Sequence, residues 1–163
     1  MSAVTRQGWT AYAIAAVVLV VDQITKALIL PLPERVPHEV VWPLQFTRIW
    51  NNGVSFGLFQ AGSDLVRWGF VVFSILVGVL LALWARKTDR LLPAAGLGLV
   101  IGGAIGNAID RARFGAVVDF IDVQRLGFFP WIFNIADSGI TIGVILLLLD
   151  SMRPERPAAR PAA

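Results

Sequence analysis

Cysteine is absent from this 163-residue chain, and with it go disulfide frameworks, thiolate zinc sites, iron–sulfur clusters and cysteine nucleophiles. Charge is scarce too: 15% of residues are Asp, Glu, Lys or Arg, against about 25% in soluble globular chains. The one histidine, His38, stands in a proline-rich stretch and reads as a solvated loop residue. H-E-x-x-H does not occur; Gly53-Val54-Ser55-Phe56-Gly57 matches G-x-S-x-G as a string, but the one histidine stands apart in its proline-rich stretch, and Ser138 has no histidine or lysine near it in sequence to activate it. Metal-assisted hydrolysis and Ser–His catalysis have no support, and neither a metal nor a cofactor is expected. What the chain has in quantity is apolar surface: 56% of residues are hydrophobic and the mean hydropathy is +0.71. That content excludes disorder, and the length suggests one domain.

A bilayer core about 30 Å thick needs roughly 20 apolar residues in a helix. Four windows meet this, at residues 9–30, 65–84, 91–109 and 131–149. Each is apolar all round, so none reads as an amphipathic surface helix. The first follows Arg6, but its apolar run is too long for a signal-peptide core and no A-x-A-like cleavage site follows Leu30, so it reads as a retained span. Four spans put both termini on one side, with Arg6, Arg86, Lys87, Arg90, Arg153, Arg156 and Arg160. The longer segments on the other side carry only Arg35, Arg48, Arg111, Arg113 and Arg125. The termini are therefore expected in the cytoplasm. The net charge of +3 then reflects topology, and nucleic-acid binding falls away.

Pro31, Pro33, Pro37 and Pro43 break any helix between the first two spans. After them, residues 44–50 alternate apolar and polar as a half-buried strand does, and the β-branched run 116–123 reads as a second strand. The expected fold is a membrane all-α, four-transmembrane-helix bundle with a small extracytoplasmic β element. One domain spans residues 1–150, and the proline-punctuated tail 151–163 is disordered. Gly98, Gly102 and Gly106 recur at every fourth position and give the third span a smooth face for close helix approach. No internal repeat is visible.

Ionisable groups inside spans are costly and functional by default, and here they are few. Asp22 and Lys26 are four residues apart in the first span and can pair on one helix face. Asn107, Asp110 and Arg111 close the third span; Asn134 and Asp137 open the fourth, and Asp119 and Asp122 lie between. Such a carboxylate cluster at a membrane boundary reads three ways: a network tying helices together, a proton or ion path, or acid–base chemistry by two carboxyls sharing a proton. Composition does not separate these. A small proton-coupled transporter and a non-catalytic scaffold remain the competing functions.

Five ordered blocks narrow the choice. They are Asp22-Gln23-Ile24-Thr25-Lys26, Asn51-Asn52-Gly53-Val54-Ser55-Phe56-Gly57, the run from Gly102 to Arg111, Val117-Val118-Asp119-Phe120-Ile121, and Phe133-Asn134-Ile135-Ala136-Asp137-Ser138. Together they resemble the lipoprotein signal peptidases (signal peptidase II), aspartic proteases of the bacterial inner membrane. The resemblance implies an aspartic endopeptidase with Asp119 and Asp137 as its catalytic pair. It implies that Asn51, Asn107, Asp110, Arg111 and Asn134 line or brace the site, with Gly53, Asp22 and Lys26 as further supporting residues. The implied substrate is a prolipoprotein carrying diacylglycerol on a cysteine and cut just before it, at a site near the extracytoplasmic face. The protein is expected to act as a monomer in contact with membrane lipid. Val54 and Ser55 stand where the family often has Ala, and two residues separate Pro130 from Phe133 where one is expected. The aromatic segment 42–59 has two readings, a cover over the substrate or a set of interfacial anchors.

Overall fold

The computed structural model describes residues 3–53 and 64–152. In chain order these form α1 (Arg6–Ile29), β1 (His38–Val41), β2 (Leu44–Asn51), α2 (Asp64–Ala85), α3 (Leu91–Phe114), β3 (Val117–Asp122), a 3₁₀ turn (Gln124–Leu126), β4 (Ile132–Phe133) and α4 (Ile135–Ser151). The chain is thus predominantly helical, and α1, α2 and α3 are each long and apolar enough to cross a membrane. The 17-residue α4 is shorter, roughly 26 Å at about 1.5 Å per residue.

α3 occupies the centre. It is buried along most of its length, whereas α1 and α2 turn most of theirs outward. Its glycines set how close the neighbours come. A Cβ on Gly98 or Gly102 would lie 2.5 or 2.6 Å from the carbonyl oxygens of Ala11 and Ala15 on α1, and one on Gly103 would lie 2.4 Å from that of Ala136 on α4. The outward surfaces carry Val17, Val20 and Leu28 on α1, Val72, Phe73 and Leu80 on α2, and Ile142, Ile145 and Leu148 on α4, all exposed. Apolar faces this extensive need lipid around them.

The four strands form one antiparallel sheet in the order β1-β2-β3-β4. β2 and β3 match the expected strands to within a residue. β1 and β4 were not expected, and each corrects the sequence reading. His38 is a strand residue opposite Phe46 rather than part of a solvated loop: a short edge strand tolerates the flanking Pro37 and Pro43, whose missing N–H groups face no partner there. Ile132 and Phe133 pair with Asp122 and Ile121, so the fourth helix begins at Ile135 and not near Trp131. Asn134 stops the helix from starting sooner, because its extended backbone and side chain form the N-cap.

The third helix runs five residues past its expected end, to Phe114, so Asp110 and Arg111 are helical. Arg111 and Arg113 suit the negative end of the helix, and Gly115, at φ +84°, supplies the left-handed cap. At the other end Thr5 caps α1 by accepting from the Gly8 N–H at 2.9 Å. Its hydroxyl donates to the Thr88 carbonyl between α2 and α3, and Arg90 pairs with Asp150 at 2.6 Å. Ser151 closes α4; residues 153–163 of the expected disordered tail lie outside the described residues.

Gly103→Ala tests the close approach of α3 and α4. It is expected to lower stability by about 1–3 kcal/mol through overpacking. Gly69→Ala, where an added Cβ meets nothing within 4 Å, is expected to be neutral or to stabilise by up to about 1 kcal/mol. Thermal unfolding of the two variants in detergent checks both, and equal midpoints would contradict this packing.

Candidate active site

Asp119 lies on β3 and Asp137 in the first turn of α4. Val118 and Phe120 fix the strand by packing with Ile29 of α1, and alternation turns Asp119 to the other face. Asp137 is the third residue of a capping box: its backbone N–H donates to the Asn134 side chain at 2.8 Å, and its carboxylate accepts from the Asn134 N–H at 3.3 Å. The same Asn134 donates through Nδ2 to Asp119 Oδ1 at 2.7 Å. One buried asparagine thus joins the two carboxyls, its backbone to one and its side chain to the other.

Each carboxyl has a further amide donor. Asn51 Nδ2 donates to Asp119 Oδ2 at 2.9 Å, and Asn107 Nδ2 to Asp137 Oδ1 at 2.8 Å. The orientations of these amides are fixed by what their oxygens accept. Asn51 Oδ1 takes the Gly53 N–H at 2.8 Å. Asn107 Oδ1 takes Lys26 Nζ at 3.1 Å and Asn134 Nδ2 at 3.2 Å. Lys26 can only donate, so it turns the Asn107 NH₂ toward Asp137.

Behind this layer Lys26 Nζ lies 2.9 Å from Asp22 and 2.8 Å from Asp110, with all three side chains at most 3% exposed. Buried ions persist only when well paired and hydrogen-bonded, and both carboxylates are. Asp22 Oδ1 accepts the Ala136 N–H at 3.0 Å, and Asp110 Oδ2 accepts the Val118 N–H at 3.2 Å. Gln23 donates to both, at 3.2 and 3.1 Å. Arg111 interacts electrostatically with Asp137, Asp119 and Asp110.

Burial pushes the Asp119 carboxyl up from 3.8 to about 7, and the charge of Asp137 adds to the rise; Asn51, Asn134 and Lys26 offset part of it. Asp122 goes the other way. Burial pushes it up, but the Gln124 N–H, Thr47, Gln45 and the charge of Arg125 outweigh that and hold it below the usual carboxylate range. Asp122 stands opposite Gln45 in the β2–β3 ladder, as a structural anchor apart from the pair.

The structure therefore joins Asn51, Asn107, Asp119, Asn134 and Asp137 directly by hydrogen bonds, sets Asp22, Lys26 and Asp110 behind them, and lets the Gly53 N–H hold Asn51. The sequence reading did not include Gln23 among the site residues, although a polar side chain inside an apolar span is a visible signal. Of the aromatics in 42–59, Phe46 packs on Phe120 and Trp50 on Phe114, which makes them part of the sheet's packing; Trp42 is exposed. Val54, Ser55, Phe56 and Phe59 lie outside the described residues.

Two grooves reach the site. One of about 310 Å³ runs from Asp137 along Ser138, Thr141 and Ile142 beneath Phe129 and Phe133. The other, about 290 Å³, lies between α2 and α4 over α3, from Asn107 and Arg111 down past Phe73, Ser74 and Ile140. Two carboxyls that share a polar cage at the heads of apolar grooves have the makings of acid–base hydrolysis near a lipid boundary.

A family model described as signal peptidase (SPase) II matches residues 14–153. A lipoprotein signal peptidase of Caulobacter vibrioides is 57% identical over 156 residues, covering 93% of this chain and 92% of its own. One from Methylobacterium sp. (strain 4-46) is 41% identical over 146 residues, covering 88% of each. A solved structure described as a bacterial membrane enzyme superposes with a TM-score of 0.81 at 34% identity, covering 95% of this chain and 99% of that one. The chain belongs to the signal peptidase II family, the proteases of the bacterial inner membrane whose sequence blocks it carries in order.

Proposed function

We propose that this chain is an intramembrane aspartic endopeptidase that removes the signal peptide from diacylglyceryl-modified prolipoproteins, cutting just before the lipidated cysteine. Asp119 and Asp137 are its catalytic residues. The observation that carries the reading is the join between the two carboxyls through Asn134. Family membership supports the substrate class.

The reaction follows from two carboxyls sharing one proton. The ionised carboxylate takes a proton from water as the water oxygen bonds to the scissile carbonyl carbon, and the protonated carboxyl gives its proton to the carbonyl oxygen. The tetrahedral intermediate then collapses: the pair gives its proton to the cysteine nitrogen as the C–N bond breaks, and takes one back from a hydroxyl of the intermediate as the new carboxyl group forms, which restores the single shared proton. The proton belongs to the pair, and the burial of Asp119 weights it there. Asn51, Asn107 and Asn134 hold both carboxyls in place before substrate arrives, which is worth more than any bond formed during reaction.

One domain, residues 1–150, acts as a monomer, since a single chain completes the constellation. α4 makes the fourth span, both termini are cytoplasmic, and the sheet and site lie near the extracytoplasmic face. The substrate's acyl chains lie in lipid and along the apolar grooves, where each buried CH₂ contributes about 0.8 kcal/mol. A proton-coupled transporter needs polar residues at mid-bilayer depth; here Lys26, Asn107, Asp110 and Asp137 all gather at the helix ends beside the sheet.

Asp119→Asn and Asp137→Asn are each expected to lower cleavage of a lipidated precursor to background while the proteins still insert and fold. Asp122→Asn should retain substantial activity. Turnover near the wild-type rate in either of the first two variants would remove that aspartate from the mechanism.

The pH profile of kcat is expected to fall as pH rises through about 7, where the pair loses its last proton. Stability follows the same group. Between 3.8 and about 7 the folded state holds a proton that the unfolded chain has lost, so stability declines as pH rises across that window. Asp119→Asn should flatten this decline, as unfolding midpoints measured from pH 4 to 8 will reveal.

Single cysteines test the topology. Glu34→Cys and Arg125→Cys are expected to react with an impermeant thiol reagent added outside intact cells, and Asp89→Cys only after lysis. The opposite pattern would invert the assignment.

A further inference from the structure

We propose that Arg67 and Phe70 of α2 are positioning residues that hold Arg111 in the groove it shares with Asn107, the amide that donates to Asp137; this rests on the peptidase reading above. The two stand three residues apart and share one face of α2. Arg67 Nε donates to the Arg111 carbonyl at 2.8 Å, and its Nη2 to the Ala112 carbonyl at 2.7 Å. Both carbonyls belong to the last turn of α3, and that of Arg111 also accepts the Gly115 cap N–H at 3.0 Å. A planar fork satisfies both at once, which a lysine does not, and its charge suits the negative helix end. One turn along α2, the Phe70 ring lies 5.1 Å from the Arg111 guanidinium carbon, a cation–π contact.

A third element closes on the same spot. Gly53, at φ +79°, follows β2, and a Cβ there would lie 3.2 Å from the Phe70 ring and 3.4 Å from Arg111 Nη2. The backbone of Arg111 is thus gripped by Arg67 while its side chain lies between Phe70 and the end of β2. α2 packs on α3 and touches α1 only lightly, and this fork is a polar tie between α2 and the end of α3. Arg67 is itself steadied by Trp68, at 5.1 Å, and by Asp64, at 3.5 Å. The charged groups around Arg111 are Asp110 on α3, Asp119 on β3, Asp137 on α4 and, behind them, Lys26 and Asp22 on α1. A cation held in that groove favours the ionised form of a carboxyl nearby, and one that has drifted away favours it less. The pair then keeps its last proton to higher pH.

The test uses the full chain in detergent with a diacylglyceryl-modified precursor peptide. Arg67→Lys, Arg67→Gln and Phe70→Leu are each expected to lower kcat about tenfold through misplacement, with KM little changed. Each should also move the alkaline limb of the profile up by about half a pH unit. In an Arg111→Gln background the same substitutions should add nothing. A second readout needs no turnover: infrared titration of the protonated carboxyl band, assigned by its loss in Asp119→Asn, should show the same upward shift. A wild-type protein that cleaves nothing would overturn the peptidase reading, and the infrared shift would still decide the role of Arg67. Lower unfolding midpoints with an unmoved band and unchanged kcat, or full effects persisting in Arg111→Gln, would overturn the proposal.

Discussion

The ammonium of Lys26 sets the distance on which the rest of the site depends. Its two carboxylate partners each reach one residue short of a site aspartate: Asp22 holds the N–H of Ala136, and Asp110 holds the N–H of Val118. Residues 118 and 136 precede Asp119 and Asp137, so a single cation between two anions fixes how far β3 stands from the start of α4. Without Lys26, two carboxylates at most 1% exposed would face each other uncompensated. Breaking a buried pair in this way costs about 3–5 kcal/mol, and the released aspartates would let go of both backbones. The same ammonium turns Asn107 so that its NH₂ meets Asp137. Geometry and amide polarity at the pair therefore have one source.

That triad forms only because α3 has glycines where its neighbours press closest. Helices in lipid gain nothing from hydrophobic burial against one another and associate by close packing and polar contacts. A Cβ on Gly106 would lie 2.6 Å from the Asp22 carboxylate, so any larger residue would push α1, with Asp22 and Lys26, away from Asp110 on α3. Gly98 and Gly102 bring α1 against α3 at shallower and deeper turns, and Gly103 brings Ala136 in from the other side. The spine of small residues and the buried ions are thus one device. Close approach excludes water and lipid from the charges, and the charges in turn supply a specific attraction that packing alone lacks.

The helices and the cluster of polar residues at their ends were legible because their signals are local, whereas the pairing of Asp119 with Asp137 within that cluster was implied only by the family blocks. Long apolar runs, an i,i+4 ion pair and spaced aspartates are visible without knowing what touches what. The features that escaped are those fixed by partners distant in sequence. β4 is two residues long and exists because Asp122 and Ile121 offer it a ladder; its apolar residues Ile132 and Phe133 read as the start of a helix until Asn134 is known to be a cap. β1 lies among prolines that argue against regular structure, and only its place at the edge of the sheet makes it tolerable. α3 outran its apolar window because Arg111 and Arg113 are good last-turn residues although they are poor membrane residues. Gln23 was visible as a polar anomaly, but its double donation to Asp22 and Asp110 required the fold.

The two aspartates arrive on different kinds of backbone, and that difference gives the pair its asymmetry. Asp137 sits in the first turn of α4, where the helix dipole presents positive potential, and its own N–H is held in the capping box by Asn134. Asp119 sits on a strand, which has little net dipole, and is 1% exposed. Its two amide donors occupy one lone pair on each oxygen, which leaves room for a proton without disturbing either bond. Burial thus favours the protonated form of the strand residue. In the proposed mechanism, the fold would divide the labour of acid and base by the element from which each carboxyl projects, before any substrate is present.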